Sequence, residues 1–280
     1  MNVLEFSAVV WLGSLAAGFL GALSGLGGGV VVIPMLTLLL GVEIRYAAGA
    51  ALISVIATSS GAASAYVREG YSNLRVGMLL EVATSIGAVA GATLAAHVAG
   101  ASIEVIFGGV LIASAALSLR RHAESTGREP PDPLAARLRL DGAYPTPSGP
   151  QAYHVHRVPL GFALMFVAGA LSGLLGIGSG AVKVLALDTA MRLPFKVSTT
   201  TSNFMIGVTA AASTGVYLRN GFVDPGLAMP VVLGVLLGSL AGARALPRLE
   251  SRALRQVFAA LIVALGAQML WSGATGPGAP

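Results

Sequence analysis

Lys183 is a lone basic residue deep in an apolar run, AVKVLALDTA, three residues after Gly180. A cation at the centre of a membrane span costs about 2.5–3.5 kcal/mol on insertion scales, so such a residue faces a partner or a cavity. Two roles fit it: direct ligand of an anion, or structural pair with Asp188 or Glu81. Glu81, in GMLLEVATS, stands in another apolar stretch. Carboxyls in such places can exchange protons near physiological pH, so Glu81 is a candidate carrier of a coupling proton, with a structural salt bridge equally open. The stretch STTTSN (Ser198–Asn203) concentrates hydroxyls and an amide at the start of a helix. Ser198 and Thr199 are placed to cap it, and Asn203, deeper in, to face a cavity. Thr58 and Thr209 each lie within a span, where threonine usually bonds back to its own turn.

Glycine clusters supply a second kind of chemistry. GALSGLGGG (Gly21–Gly29) has a close copy in GALSGLLGIGSG (Gly169–Gly180). Each helical glycine costs about 0.8–1 kcal/mol relative to alanine, so Gly25 with Gly27, Gly28 and Gly29 writes a helix break into the chain. A break inside a membrane must be buried in protein or line a watery cavity. The limb after it begins with unpaired N–H groups and about half a positive charge, which is an anion site made of backbone. The expected substrate-binding set is therefore Gly27, Gly28, Gly29, Gly178, Ser179, Gly180, Lys183 and Asn203. For Gly87, Gly91, Gly238 and Gly242, close helix packing is the better explanation. GIGSGA also matches a dinucleotide-binding pattern, but no strand precedes it and no ribose-binding acid follows in a βαβ context. His154 and His156 are too isolated for a metal site. No metal or other cofactor is expected, and the absence of cysteine excludes disulfides and thiolate chemistry.

These residues need a membrane scaffold. Of the 280 residues, 55% are hydrophobic and 10% charged, against roughly 25% charged in a soluble domain. Apolar runs of spanning length recur along almost the whole chain and leave no room for a soluble catalytic domain. The net charge of +5 comes from residues between those runs, which fits the positive-inside rule rather than nucleic acid binding. The first run lacks a basic n-region and outlasts a signal peptide, so it reads as retained structure.

The sequence aligns with itself. At the offset from Gly18 to Gly169, 151 positions, Ala17–Ala95 matches Ala168–Leu246 without a gap. Gly25, Gly27 and Gly29 fall on Gly176, Gly178 and Gly180, YVREGYSN on YLRNGFVD, and GAVAGA on GSLAGA. Two homologous halves follow, residues 1–119 and 158–280. Each has a glycine-interrupted run (7–41 and 158–191) and three further helices (46–67, 74–97 and 103–119; 197–218, 226–247 and 253–272). Residues 120–157, with REPPDP, YPTPSGP and six arginines against four acids, read as a mobile cytoplasmic linker. Arg244, Arg248, Arg252 and Arg255 cluster before the last helix, whereas the matching loop of the first half has His97 and Glu104, so equivalent loops fall on opposite sides. Those assignments hold together when each glycine-interrupted run enters and leaves on one side. About 33 residues of continuous helix would extend roughly 50 Å, too long for one span. The expected fold is all-α and integral to the membrane: two inverted repeats, each a glycine-broken hairpin followed by three transmembrane helices.

The paired glycine motifs opening two repeats that end in GAVAGA and GSLAGA resemble the sulfite exporter TauE/SafE family, also called the toluene-sulfonate uptake permeases. The resemblance covers nearly all of the chain outside the linker, and its glycine motifs map onto Gly25, Gly27, Gly28, Gly29, Gly176, Gly178 and Gly180. It implies a multi-pass inner-membrane carrier of small sulfur-containing anions, such as sulfite, thiosulfate, sulfoacetate and other sulfonates, with protons as a candidate coupling ion. The partners expected are that anion, protons and the lipid bilayer, with a homodimer as a candidate assembly and no nucleic acid. Ser179 replaces a motif glycine, and Lys183 stands where the first repeat has Val32, so the halves are expected to contribute unequally. A passive anion channel and a membrane scaffold without transport are the alternatives; an intramembrane enzyme lacks a workable His, Glu and Ser set.

Overall fold

The computed structural model describes residues 2–24, 28–68, 70–119, 132–146, 149–178, 180–245 and 251–275. The first half holds α1 (Val3–Ser24), α2 (Gly29–Pro34) continued by a π turn (Met35–Leu39), α3 (Ile44–Arg68), α4 (Leu74–Ala95) and α5 (Gly100–Leu119). The second half repeats the order with α7 (Val158–Leu175), α8 (Gly180–Leu185) with its π turn (Ala186–Ala190), α9 (Phe195–Arg219), α10 (Pro225–Ala245) and α11 (Ser251–Thr275). Leu74–Ala95, Val158–Leu175 and Pro225–Gly242 are long and apolar enough to cross a membrane, and shorter apolar helices accompany them. The helix ends lie within about four residues of those read from hydropathy, since lipid leaves helix as the economical way to satisfy backbone polar groups.

Both glycine-interrupted runs double back. Gly28 lies beside Gly18, and Gly13 lies against the Met35 sulfur, so the limb after the first break returns along α1. In the second half Gly161 lies against the Met191 side chain, and the His156 N–H donates to the Met191 carbonyl at 3.1 Å.

Helices pack across the halves. On α4, Gly87 meets the carbonyl of Phe166 and Gly91 that of Ala170, while on α7 Gly169 and Gly173 meet the carbonyls of Thr84 and Ala88. The contacts advance together along both chains, so α4 and α7 run parallel. The same relation joins α1 and α10, where Gly234 meets Trp11, Gly238 meets Leu15 and Gly18 meets Val235. By contrast α5 and α11 are antiparallel, with Gly108 on Gly266 and Gly273 on Ala101. So are α3 and α9, with Gly207 on Ser59 and Gly49 on Phe222. At most of these points a side chain would displace a backbone, and at Gly207 it would displace the Ser59 side chain, so small residues hold the bundle together. Gly87, Gly91 and Gly238 are packing residues, as their spacing suggests.

The segment expected to be mobile is folded from Asp132 onward. Asp132 caps α6 (Pro133–Arg137) by accepting from the Leu134 N–H at 2.9 Å, with Pro133 in the first turn. β1 (Gly142–Thr146) and β2 (Gly149–Tyr153) then form an antiparallel hairpin, the one sheet among the described residues. Ala135, Leu140, Tyr153 and Val155 bury themselves in a cluster with Val76, Met191 and Val197 from the helices. Asn73 donates to the Leu140 carbonyl (2.8 Å) and the Tyr153 hydroxyl (2.9 Å). Alternate apolar residues among the prolines and arginines give this segment a face to bury, which outweighs its loop-like composition.

Candidate functional site

The two chain breaks come together inside the bundle. In the second, Gly176 ends α7 with φ 74° and its N–H bonded to the Ser172 carbonyl at 2.8 Å, and Gly178 follows with φ 71°. Both conformations are left-handed, which glycine adopts without a Cβ penalty. A Cβ on Gly29 would lie 3.7 Å from the Gly176 carbonyl oxygen. Val55 of α3 touches both breaks: its two methyls would lie 3.1 Å from a Cβ on Gly29 and 3.3 Å from one on Gly178. Gly28, Gly29, Gly178 and Gly180 are all buried. Gly25, Gly27 and Ser179 lie outside the described residues.

Lys183 is fully buried one turn into α8, and its ammonium donates to the Thr209 hydroxyl on α9 at 2.5 Å. The Thr209 oxygen lies 2.7 Å from Glu81 Oε1 on α4 and 2.9 Å from the Met205 carbonyl. One hydroxyl carries one proton, so Thr209 can donate to the carboxylate or to its own turn, but not to both. Ser85, one turn beyond Glu81, donates to the same oxygen at 3.0 Å. Glu81 is 8% exposed, and its second oxygen, Oε2, has no hydrogen-bond partner among the described residues. Three elements thus bring a buried cation, a hydroxyl and a buried carboxylate into one chain, with one carboxylate oxygen left open.

Not every expected residue joins it. Asn203 is half-buried beside, rather than on, the buried face of α9 that carries Ser202, Met205, Ile206, Thr209 and Ser213. Ser198 and Thr199 do not cap α9. The helix starts at Phe195, where extended Pro194 lets its carbonyl accept from the Ser198 N–H at 2.9 Å, and both hydroxyls bond back to the Leu193 and Phe195 carbonyls. Thr200 and Thr201 instead fasten the turn between α3 and α4, through the Tyr71 carbonyl and the Asn73 N–H, each at 3.0 Å. Ser202 reaches the Gly180 carbonyl at 3.3 Å.

Thr209 is the residue that sequence reasoning set aside. Its oxygen lies within bonding distance of its own turn, like that of Thr58 at 3.0 Å from the Ser54 carbonyl, and nothing local distinguishes the two. Ser85 carried a usable signal, because four residues from Glu81 on a helix puts the two side chains side by side.

The chain matches the family model described as Sulfite exporter TauE/SafE over residues 10–269. It is 26% identical over 278 residues to a Bacillus subtilis protein named "Probable membrane transporter protein YunE", covering 96% of this chain and 99% of that one. It is 30% identical over 237 residues to "Probable membrane transporter protein YdhB" of the same organism, covering 84% and 87%. A "Probable membrane transporter protein" of Xylella fastidiosa is 25% identical over 275 residues, with 97% of each chain covered. No solved structure matches significantly.

Proposed function

The chain belongs to the sulfite exporter TauE/SafE family and is a multi-pass membrane transporter, not an enzyme; on that premise we propose that it is a secondary transporter of small sulfur-containing anions, coupled to protons and working by alternating access. The observation that carries this reading is the buried Lys183–Thr209–Glu81 chain beside two adjoining glycine breaks. Lys183 supplies positive charge for the anion, and the breaks supply backbone N–H groups at Gly28, Gly29, Gly178 and Gly180. Glu81 carries the proton. A buried ion chain in the middle of a membrane protein marks a substrate or proton route more often than a stability device.

The halves are inverted repeats in this reading. Exchanging them maps the α1–α10 pair onto α7–α4, and equivalent helices α3 and α9, like α5 and α11, run antiparallel, which supports a two-fold axis in the membrane plane. Residues 120–157 then sit in the cytoplasm. Arg75, Arg139, Arg157, Arg192 and Lys196 gather at the end of the bundle that the folded linker covers, in support of that side. The other end pairs Arg45 with Glu43 at 2.9 Å and seats Arg45 against the Ala95 and Val98 carbonyls. A reporter fused after Pro280 is expected to read on the outer side; a cytoplasmic reading overturns the inverted arrangement.

Transport itself is tested by uptake of labelled sulfite, thiosulfate and sulfoacetate into proteoliposomes, with and without an inward proton gradient. At least one anion is expected to enter, faster with the gradient. Uptake that ignores the gradient identifies a passive channel, and no uptake of any anion removes the transport reading.

A further inference from the structure

Resting on the transport reading above, we propose that the site takes one singly charged anion together with one proton per cycle, and that the Thr209 hydroxyl is the positioning residue that links the two. The observation behind this is the charge inventory of the site and its lack of a symmetric twin. At the repeat offset, Lys183, Thr209 and Glu81 correspond to Val32, Thr58 and Val232. Val32 is fully buried, and Thr58 bonds into its own turn, to the Ser54 and Val55 carbonyls at 3.0 and 3.2 Å. Among the described residues the fold therefore builds one charged site, not two.

The charges around Glu81 are few. It lies on α4, which packs on α7 and α9. No residue of α7 is ionisable, and the cations of α9, Lys196 and Arg219, lie at its two ends. Lys196 stands over the Tyr71 ring, and Arg75, at the start of α4, donates to the Arg139 carbonyl. On the segment carrying Lys183, Asp188 is half-buried a turn and a half further on and has partners of its own. Among the described residues, the charged group that bears on Glu81 is Lys183 and the one that bears on Lys183 is Glu81, the two being joined through the Thr209 hydroxyl.

Empty, the site holds an ammonium and a carboxylate and is neutral. A lone anion entering would leave one negative charge uncompensated in a low-dielectric interior, and a lone proton one positive charge. A singly charged anion and a proton entering together keep it neutral, with the proton on Glu81 Oε2, the oxygen with no partner among the described residues. Thr209 connects the two events. While Glu81 is ionised, the threonine proton points to Oε1 and the Lys183 charge is shared with the carboxylate through the hydroxyl. Once Glu81 is protonated, that proton turns to the Met205 carbonyl, 2.9 Å away, and Lys183 is released to hold the anion. A doubly charged anion leaves one charge without a partner, so it is discriminated against.

The test uses the full-length protein in proteoliposomes with labelled methanesulfonate, sulfite and thiosulfate, under separately imposed pH gradient and potassium-diffusion potential. Methanesulfonate is expected to enter at least about tenfold faster than thiosulfate, driven by the pH gradient and indifferent to the potential. Thr209→Val is expected to lose the acceleration by the gradient, and Thr209→Ser to keep it. Potential-driven methanesulfonate uptake, a preference for thiosulfate, or undiminished gradient acceleration in Thr209→Val overturns the inference while leaving transport standing. Absence of uptake of all three anions overturns the transport reading and this inference with it. Should Thr209→Val fail to fold, the response of the wild-type protein to the potential decides alone.

Discussion

Replacing Lys183 with methionine is expected to reduce anion uptake to the level of empty liposomes and to destabilise the protein by about 3–5 kcal/mol, because it strands the Glu81 carboxylate in the interior. Methionine fills much of the volume of the lysine stem, so the loss is electrostatic rather than a cavity. The double variant Lys183→Met with Glu81→Gln separates the two roles. With no charge left to strand, thermal stability in detergent should return to near the wild-type value, since buried pairs can be exchanged for neutral groups at little cost. Uptake should stay absent. If the single variant transports at the wild-type rate, Lys183 is not part of the anion site; if the double variant transports, neither residue is.

Gly91→Val is expected to cost about 3 kcal/mol or more, at the upper end for overpacking, and to shift the protein from a sharp to an aggregated peak on size exclusion. A Cβ at Gly91 would overlap the Ala170 carbonyl oxygen and crowd its carbonyl carbon at 2.7 Å. Those are backbone atoms of a neighbouring helix, so relief requires α4 and α7 to separate. Because α4 carries Glu81, uptake should fall even in molecules that remain folded. Gly109→Ala, on the same bundle where nothing lies within 4 Å, is the matched control. It should be neutral or stabilising by up to about 1 kcal/mol, the helix-propensity difference. Equal losses in the two variants would mean that helix approach is not what the glycines provide.

The linker shows where composition misleads. Its prolines and arginines resemble a mobile tether, and the features that fold residues 132–157 are four scattered apolar residues and one asparagine on another element, Asn73. An amphipathic hairpin of five-residue strands leaves a weak pattern in sequence, because its stability comes from the surface it covers. The run Ser198–Asn203 misleads for a similar reason. Local rules read a cap in Ser198 and Thr199 and a cavity residue in Asn203, while Thr200 and Thr201 tie α9 to the Tyr71–Asn73 turn. That turn is more than 120 positions away in the chain, and no local signal points to it.

Membrane character, the helix spans, the two breaks and the internal repeat were all legible in the sequence, because each is set by local energetics. Lipid makes long apolar helices the economical backbone, clustered glycines raise the cost of continuing them, and duplicated sequence repeats both effects in one register. The family follows from the same glycine motifs, and Lys183 and Glu81 stand out because charge inside an apolar run is costly wherever it points. Which groups those charges meet is a different kind of information. Thr209 and Thr58 occupy equivalent places, each within reach of the carbonyl four residues back, yet of the two Thr209 alone lies between an ammonium and a carboxylate. That difference comes from the packing of α4, α8 and α9 against one another, and it is tertiary structure that turned two isolated charges and an ordinary threonine into one buried chain.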